Sequence, residues 1–366
     1  MTDTFPRQYA RTQRLTLGEP RTITVSPDGK RVLFLRSTNG TDTVQSLWLL
    51  HVERNTEVCI ADVRELLAAS EGHTESAEEQ ARRERAREGA GGIVQYSCDA
   101  EVQHVAFAVA GHLFVCDMQH ANEIVIKSPA SGTIYDARIS PDGQHVAYVR
   151  DRSLYMCDLQ GVERCLASEE SPDVTWGIAE FVAAEEMNRQ RGFWWAPDSS
   201  ALAVERADHS PIQSISIADP AKPTSNPSSR RYPFAGTANA LVSLHLVAIN
   251  GNRTAVTWDS LAFEYLTSVQ WNMHGLVISV MSRDQRILDI RAVDISSGQT
   301  NSLHTEHDEC WVELVVGGPS LLEKDLLMWC GERNGVRAIV VNNDFITPSH
   351  LQVRSIVRAS HDNTIF

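Results

Sequence analysis

Two adjacent glutamates, Glu185 and Glu186, end the stretch FVAAEE that begins at Phe181. Counted from Ile178, positions i, i+3, i+4, i+7 and i+8 are Ile178, Phe181, Val182, Glu185 and Glu186, so a helix begun there carries both carboxylates one turn beyond its apolar stripe. Neighbouring carboxylates repel, and turning them toward packed protein requires a cationic partner or raises a pKa. Two readings follow. Either the helix stops near Val182 and both groups are solvated, or the pair receives an ammonium or guanidinium group. A second cluster, Arg82, Arg83, Arg85 and Arg87, precedes the glycines of GAGG. It reads either as a solvated helix face with internal salt bridges or as the source of one planar fork suited to a carbonyl or carboxylate.

Other chemistry is poorly supported. The thirteen histidines show no H-E-x-x-H or paired ligand spacing, and no metal or cofactor is expected. No G-x-S-x-G elbow occurs, so no serine has the strand–turn–helix setting of an α/β-hydrolase nucleophile. The seven cysteines lack a C-x-x-C pair and several lie in apolar runs such as HLFVCDM, which predicts buried, reduced thiols. A net charge of −14 disfavours nucleic acid and anionic membranes as partners and favours a cationic one. No run of about 18 apolar residues and no secretory leader is visible, and a soluble, cytoplasmic protein is expected.

The elements that must position these groups come from a repeat. TVSPDGKRVLFLRS (24–37), RISPDGQHVAYVRDRSLYMCDL (138–159) and WWAPDSSALAVERAD (194–208) each set a Pro-Asp-Gly type turn before an alternating strand, and QYSCDAEVQHVAFAVAGHLFVCDM (95–118) is a weaker copy. Asp99, Asp142 and Asp198 mark copies 43 and 56 residues apart, near the ~40–50 of a four-stranded propeller blade. Segments 241–259, 267–300 and 325–343 continue the pattern with degraded turns. An all-β fold follows, a β-propeller of repeated four-stranded blades over residues 1–366, rather than a sandwich, which needs no such long period. Two helical insertions interrupt it, at 61–92 and at 175–191. Trp194 and Trp195 precede a blade turn and read as blade packing. Residues 219–239, rich in proline and serine, read as a long exposed connection.

The combination EFVAAEEMNRQRGFWWAPDSSALAVERAD, RRYPFAGTANALVSLHLV and FEYLTSVQW with SRDQRILDIRAVDISSGQT resembles the N-terminal propeller of the dipeptidyl peptidase IV branch of the prolyl oligopeptidase superfamily. The likeness is greatest to cytosolic members and bacterial relatives, which carry an arginine-rich helix like ARRERAREGAGGIVQY, and it covers essentially the whole chain. It implies a serine exopeptidase releasing N-terminal Xaa-Pro or Xaa-Ala dipeptides from peptides with a free N-terminus. In such enzymes paired glutamates bind the substrate α-ammonium, a role that carries over to Glu185 and Glu186. An arginine of the helical insertion binds the substrate backbone carbonyl, here Arg87, with Arg85 as the alternative. The family propeller has seven or eight blades, and the last is expected to be cut short here. The C-terminal α/β-hydrolase domain with its Ser, Asp and His is absent from this chain, which is expected to be inactive alone, to self-associate through open edges, and to belong to a parent that forms a homodimer. The contrasting reading is a free-standing propeller acting as an interaction scaffold.

Overall fold

The computed structural model describes residues 4–68, 80, 91–118, 124–126, 132–169, 171–323 and 326–357. The chain divides into two compact units, Met1–Leu166 and Ala167–Phe366. Each is built from antiparallel meanders of four strands, and six such sheets occur among the described residues.

The first unit holds sheet 1 (Arg21–Val25, Arg31–Ser37, Val44–His51, Thr56–Ala61), sheet 2 (Ser97–Cys98, His104–Val109, His112–Asp117, Ile124–Ile126) and sheet 3 (Ile134–Ile139, His145–Arg150, Ser153–Asp158, Glu163–Ala167). The second holds sheet 4 (Val174–Trp176 and Phe193–Trp195, then Ala201–Asp208, Leu241–Ala248, Arg253–Val256), sheet 5 (Tyr265–Asn272, Gly275–Met281, Ile287–Val293, Thr300–His307) and sheet 6 (Ser320–Glu323, Leu326–Arg333, Val336–Val341, Asp344–Phe345).

Strand composition explains the layering. Second strands such as HVAFAV, HVAYVR and GLVISVM are nearly continuous apolar runs and are buried on both faces. Fourth strands such as TNSLHTEH stay largely exposed. Within each unit neighbouring sheets therefore stack face to face. Leu33, Leu47, Phe107 and Phe114 share one core between sheets 1 and 2, and Ala106, Val115, Val146 and Tyr148 another between sheets 2 and 3. Trp194, Leu246, Leu266 and Ile278 join sheets 4 and 5, and Val277, Ile290, Leu321 and Trp329 join sheets 5 and 6.

Three turns share one hydrogen-bond pattern, between the first and second strands of sheets 1 and 3 and between the second and third strands of sheet 5. In Ser26–Arg31, Ser140–His145 and Ser282–Ile287 the serine hydroxyl donates to the aspartate two residues on, at 2.5, 2.5 and 2.7 Å. It also accepts the backbone N–H five residues on, at 3.0 Å in each case. The aspartate accepts a further backbone N–H at 3.0–3.2 Å, the local side-chain bonding that makes Ser and Asp turn formers. The serine hydroxyls hold Asp28 and Asp284 below the ordinary carboxylate range. In the weaker copy Asp99 alone does this work, accepting N–H groups of Gln103 and His104 at 2.7 and 2.9 Å.

Several expectations change. Segment 241–259 does not begin a repeat: it supplies the last two strands of sheet 4, which a two-stranded ribbon, Ser214–Ile217 with Ser228–Arg231, separates from the strands before it. The expected exposed connection at 219–239 is exposed but includes half of that ribbon, moored where Arg231 grips Asp173 with two bonds of 2.7 Å. In the first insertion a helix spans Val63–Ala68 and Gly91–Gly92 joins sheet 1 in parallel beside Val44–Gln45. Arg82, Arg83, Arg85 and Arg87 lie outside the described residues. A helix at Phe5–Arg11 was not anticipated. None of the seven cysteines forms a disulfide, but only Cys116 and Cys157 are buried, and Cys165 and Cys310 are exposed because they fall on an outer strand and a loop. Burial pushes the Cys116 thiol up to about 12.

Ser140 is fully buried, and its hydroxyl serves one carboxylate and one backbone N–H. Ser140→Ala is expected to lower unfolding stability by about 1–3 kcal/mol, read as a shift of the denaturant midpoint without a change of slope.

Candidate functional site

The glutamate pair stands on an excursion from a single strand position of sheet 4. Val174–Trp176 pairs with Arg206–Asp208, and Phe193–Trp195 pairs with Leu202–Val204, so both short segments run along the same strand, and Glu205 faces the gap between them. The chain leaves at Gly177 and returns at Gly192. Gly177 N–H donates to the Glu205 carbonyl at 2.9 Å, Glu205 N–H donates to the Gly192 carbonyl at 2.8 Å, and Ile178 bridges Arg191 just inside the neck. A Cβ on Gly192 would stand 2.2 Å from the Gly177 carbonyl carbon, so only glycine lets the two backbones pass here. The insertion expected at 175–191 is thus shorter at its start, because Thr175 and Trp176 are strand.

Inside the excursion the helix spans Phe181–Glu186 and differs in register from the sequence expectation. Glu180, not Ile178, begins it: its carboxylate accepts the N–H groups of Val182 and Ala183 at 2.7 and 2.6 Å and caps the first turn. The helix runs past Val182 to Glu186. Asn188, at φ 52, closes it in the left-handed region that Asn tolerates. Arg189 N–H and the Gln190 side chain then satisfy the carbonyls of Ala183 and Ala184, at 3.0 and 2.7 Å. With this start the buried face is Ala183, Ala184 and Met187, and Ala183 and Met187 pack on Tyr265, Met281 and Val312. Glu185 and Glu186 face outward, exposed, at the end of the helix. The apolar stripe from Ile178 does not form: Ile178 lies before the cap, and the helix buries Ala183, Ala184 and Met187, the side opposite Phe181, Val182 and the glutamate pair.

Sequence reasoning missed the group that anchors this element. Glu205 is fully buried, and its Oε1 accepts Glu180 N–H at 2.9 Å while its Oε2 lies 2.5 Å from Nη1 of Arg189. The charges meet without an aligned N–H···O bond, and Arg189 Nη2 has no hydrogen-bond partner among the described residues. Arg189 is held by bonds from Nε to the Leu266 carbonyl, 3.0 Å, and from Nη1 to the Arg191 carbonyl, 2.8 Å, and its guanidinium carbon lies 5.9 Å from the Trp194 ring centre. A glutamate inside the apolar run ALAVERAD is the one signal the sequence offered.

Beside the helix end lies a cavity of about 590 Å³, whose walls include Glu186, Arg189, Trp194, Ser268, Gln285 and Trp311. Trp194 has a place in the core and an edge on this cavity, so the packing expected of it is met. The pair presents two exposed carboxylates, one of them on the wall of a mixed polar and aromatic recess, and neighbouring carboxylates attract cations. Among the described residues no group of His, Cys, Asp and Glu is arranged to hold a metal, and no helix is long and apolar enough to cross a membrane.

Residues 93–352 match the family described as the dipeptidyl peptidase IV (DPP IV) N-terminal region. The chain belongs to this family. A Schizosaccharomyces pombe protein named as a dipeptidyl aminopeptidase is 24% identical over 233 residues, 58% of this chain and 29% of that protein. Mouse dipeptidyl peptidase 8 is 32% identical over 93 residues, 23% of this chain and 10% of its own length. The crystal structure of Porphyromonas gingivalis dipeptidyl peptidase 4 superposes with a TM-score of 0.70 at 17% sequence identity, over 94% of this chain and 49% of that one. The stacked four-stranded meanders are accordingly the blades of a DPP IV-type β-propeller. The matched regions span less than half the length of these relatives.

Burial raises Glu205 from 4.5 to about 7, the Arg189 charge pulling it back and Glu180 adding to the rise. An acid whose folded pKa exceeds its unfolded one favours the fold most below the unfolded value, and that contribution is lost as pH rises through the folded value. Stability is therefore expected to decline between pH 4.5 and 7 by up to about 3 kcal/mol from this residue. Glu205→Gln should flatten that part of the profile, as measured by denaturant unfolding at pH 5 and pH 7.5.

Proposed function

We propose that this chain is the substrate-recognising and gating propeller of a serine dipeptidyl peptidase that removes Xaa-Pro or Xaa-Ala dipeptides from peptide N-termini. Glu185 and Glu186 bind the substrate α-ammonium, Arg87 holds a substrate carbonyl, and a hydrolase domain supplies the nucleophile. The observation that carries this reading is the exposed pair at the end of a short capped helix, with Glu186 also walling a cavity.

Two carboxylates side by side repel one another, and an ammonium relieves the repulsion while donating charge-assisted hydrogen bonds. A receptor that fixes the amine measures distance from it, so cleavage falls two residues in. A blocked amine loses those contacts and leaves the carboxylates facing an uncharged group. Cysteines without a disulfide suit a reducing, cytoplasmic setting.

In the full-length protein carrying this chain, Glu185→Gln and Glu186→Gln are each expected to lower kcat/KM for a glycyl-prolyl anilide by about 100-fold or more, as for loss of a paired charge contact, with blade stability unchanged. Near-normal kcat/KM in both variants would refute the receptor.

A further inference from the structure

We propose that Glu205 and Arg189 are positioning residues for the Glu185–Glu186 pair, acting as one clamp that holds both ends of the helix carrying it. The proposal rests on the reading of the pair given above and adds the residues that make the pair a fixed receptor.

The argument starts from the length of the helix. Six residues form fewer than two turns, well short of the 12–15 at which a helix becomes even marginal in water, so Phe181–Glu186 depends on its ends. Both ends lead to Glu205. At the front, Glu205 Oε1 accepts the backbone N–H of Glu180, whose own carboxylate caps Val182 and Ala183. At the back, Glu205 Oε2 contacts Arg189, whose backbone N–H bonds the Ala183 carbonyl and whose side chain reaches Leu266 on sheet 5. The backbone of Glu205 ties the neck as well, through Gly177 and Gly192. One residue of a central strand thus meets the excursion at four points.

The chemistry of the clamp separates positioning from mere stability. A fully buried carboxylate against an arginine that keeps an unsatisfied nitrogen is an expensive arrangement, and apolar side chains of similar volume serve stability as well or better. What the charged pair adds is direction: it fixes where the helix starts and where it turns away. A slip of one residue would rotate Glu185 and Glu186 by about 100° around the helix axis. An ammonium receptor has no tolerance for that.

Two measurements test the clamp. The first is amide hydrogen exchange on the chain itself, comparing wild type with Glu205→Gln and Arg189→Lys, and with Glu205→Ala where it folds. Exchange at Ala184, Met187 and Arg189 is expected to rise at least tenfold in Glu205→Gln and Arg189→Lys, while Ile278 and Val280 in sheet 5 keep their protection. Unchanged exchange around the helix would overturn the proposal.

The second compares alanyl-prolyl anilide with its desamino analogue, propionyl-prolyl anilide, on the full-length protein. A positioning role predicts that the clamp variants lose at least tenfold of the preference for the amine, chiefly through KM, while handling the desamino substrate as wild type does. Equal losses on both substrates would mark a general structural fault and overturn the proposal. Glu186→Gln run alongside separates the two readings. If it leaves the amine preference intact, the receptor reading fails, and the exchange data alone decide whether Glu205 and Arg189 hold the helix.

Discussion

The constraint on which this molecule turns is the burial of one negative charge. Glu205 stands in the middle of a strand, between Val204 and Arg206 and opposite Leu244, at the position where its other partner strand is broken. Desolvation penalises its charge, and the compensation comes from a single arginine and a single backbone N–H. Both belong to the excursion, so excursion and strand need one another. Without the excursion the carboxylate has no partner. Without the carboxylate a helix of under two turns has little to define its ends.

Around that point the propeller supplies stiffness. The second strands are apolar on both faces and the sheets stack through them, so each blade presents a fixed wall rather than a mobile loop. The serine–aspartate turns at Ser26, Ser140 and Ser282 close their hairpins with the same three bonds, which sets the same pairing at the mouth of each hairpin, Val25 with Val32, Ile139 with Val146 and Met281 with Leu288. An element set on such a frame is located more sharply than one strung between mobile segments.

Much of this was legible in the sequence, and the parts that were not share a cause. Pro-Asp-Gly at residues 27–29 and 141–143 announced its turns, whereas Ser282-Arg283-Asp284 hid the same hydrogen bonds behind a stretch with neither proline nor glycine. The turn depends on the serine and aspartate side chains, and the familiar punctuation only accompanies them. The helix was visible but its buried face was misread, because the larger Phe181 and Val182 outweigh in an apolar count the small Ala183 and Ala184 that face the core. The pair was found by its oddity on an apolar stripe, although its true place is exposed. Glu205 and Arg189, sixteen residues apart in sequence and on different elements, meet only through a strand break that no periodicity records. The ribbon at 214–231 misled in the same way, cutting sheet 4 so that its second half looked like a new blade.

The strand break has a consequence for how such a protein can change. Trp176 lies opposite Arg206 and Phe193 opposite Val204, so a single residue placed between them would face Glu205 and complete an unbroken strand. The sixteen residues from Gly177 to Gly192 therefore occupy the space of one without displacing anything on either side. A blade interrupted in this manner keeps its register whatever the intervening segment contains, provided two small residues form the doorway and something satisfies the buried acid. The excursion is in that sense a graft: it could be lengthened or exchanged in one genetic step, leaving the propeller beneath it intact so long as the new segment still partners Glu205.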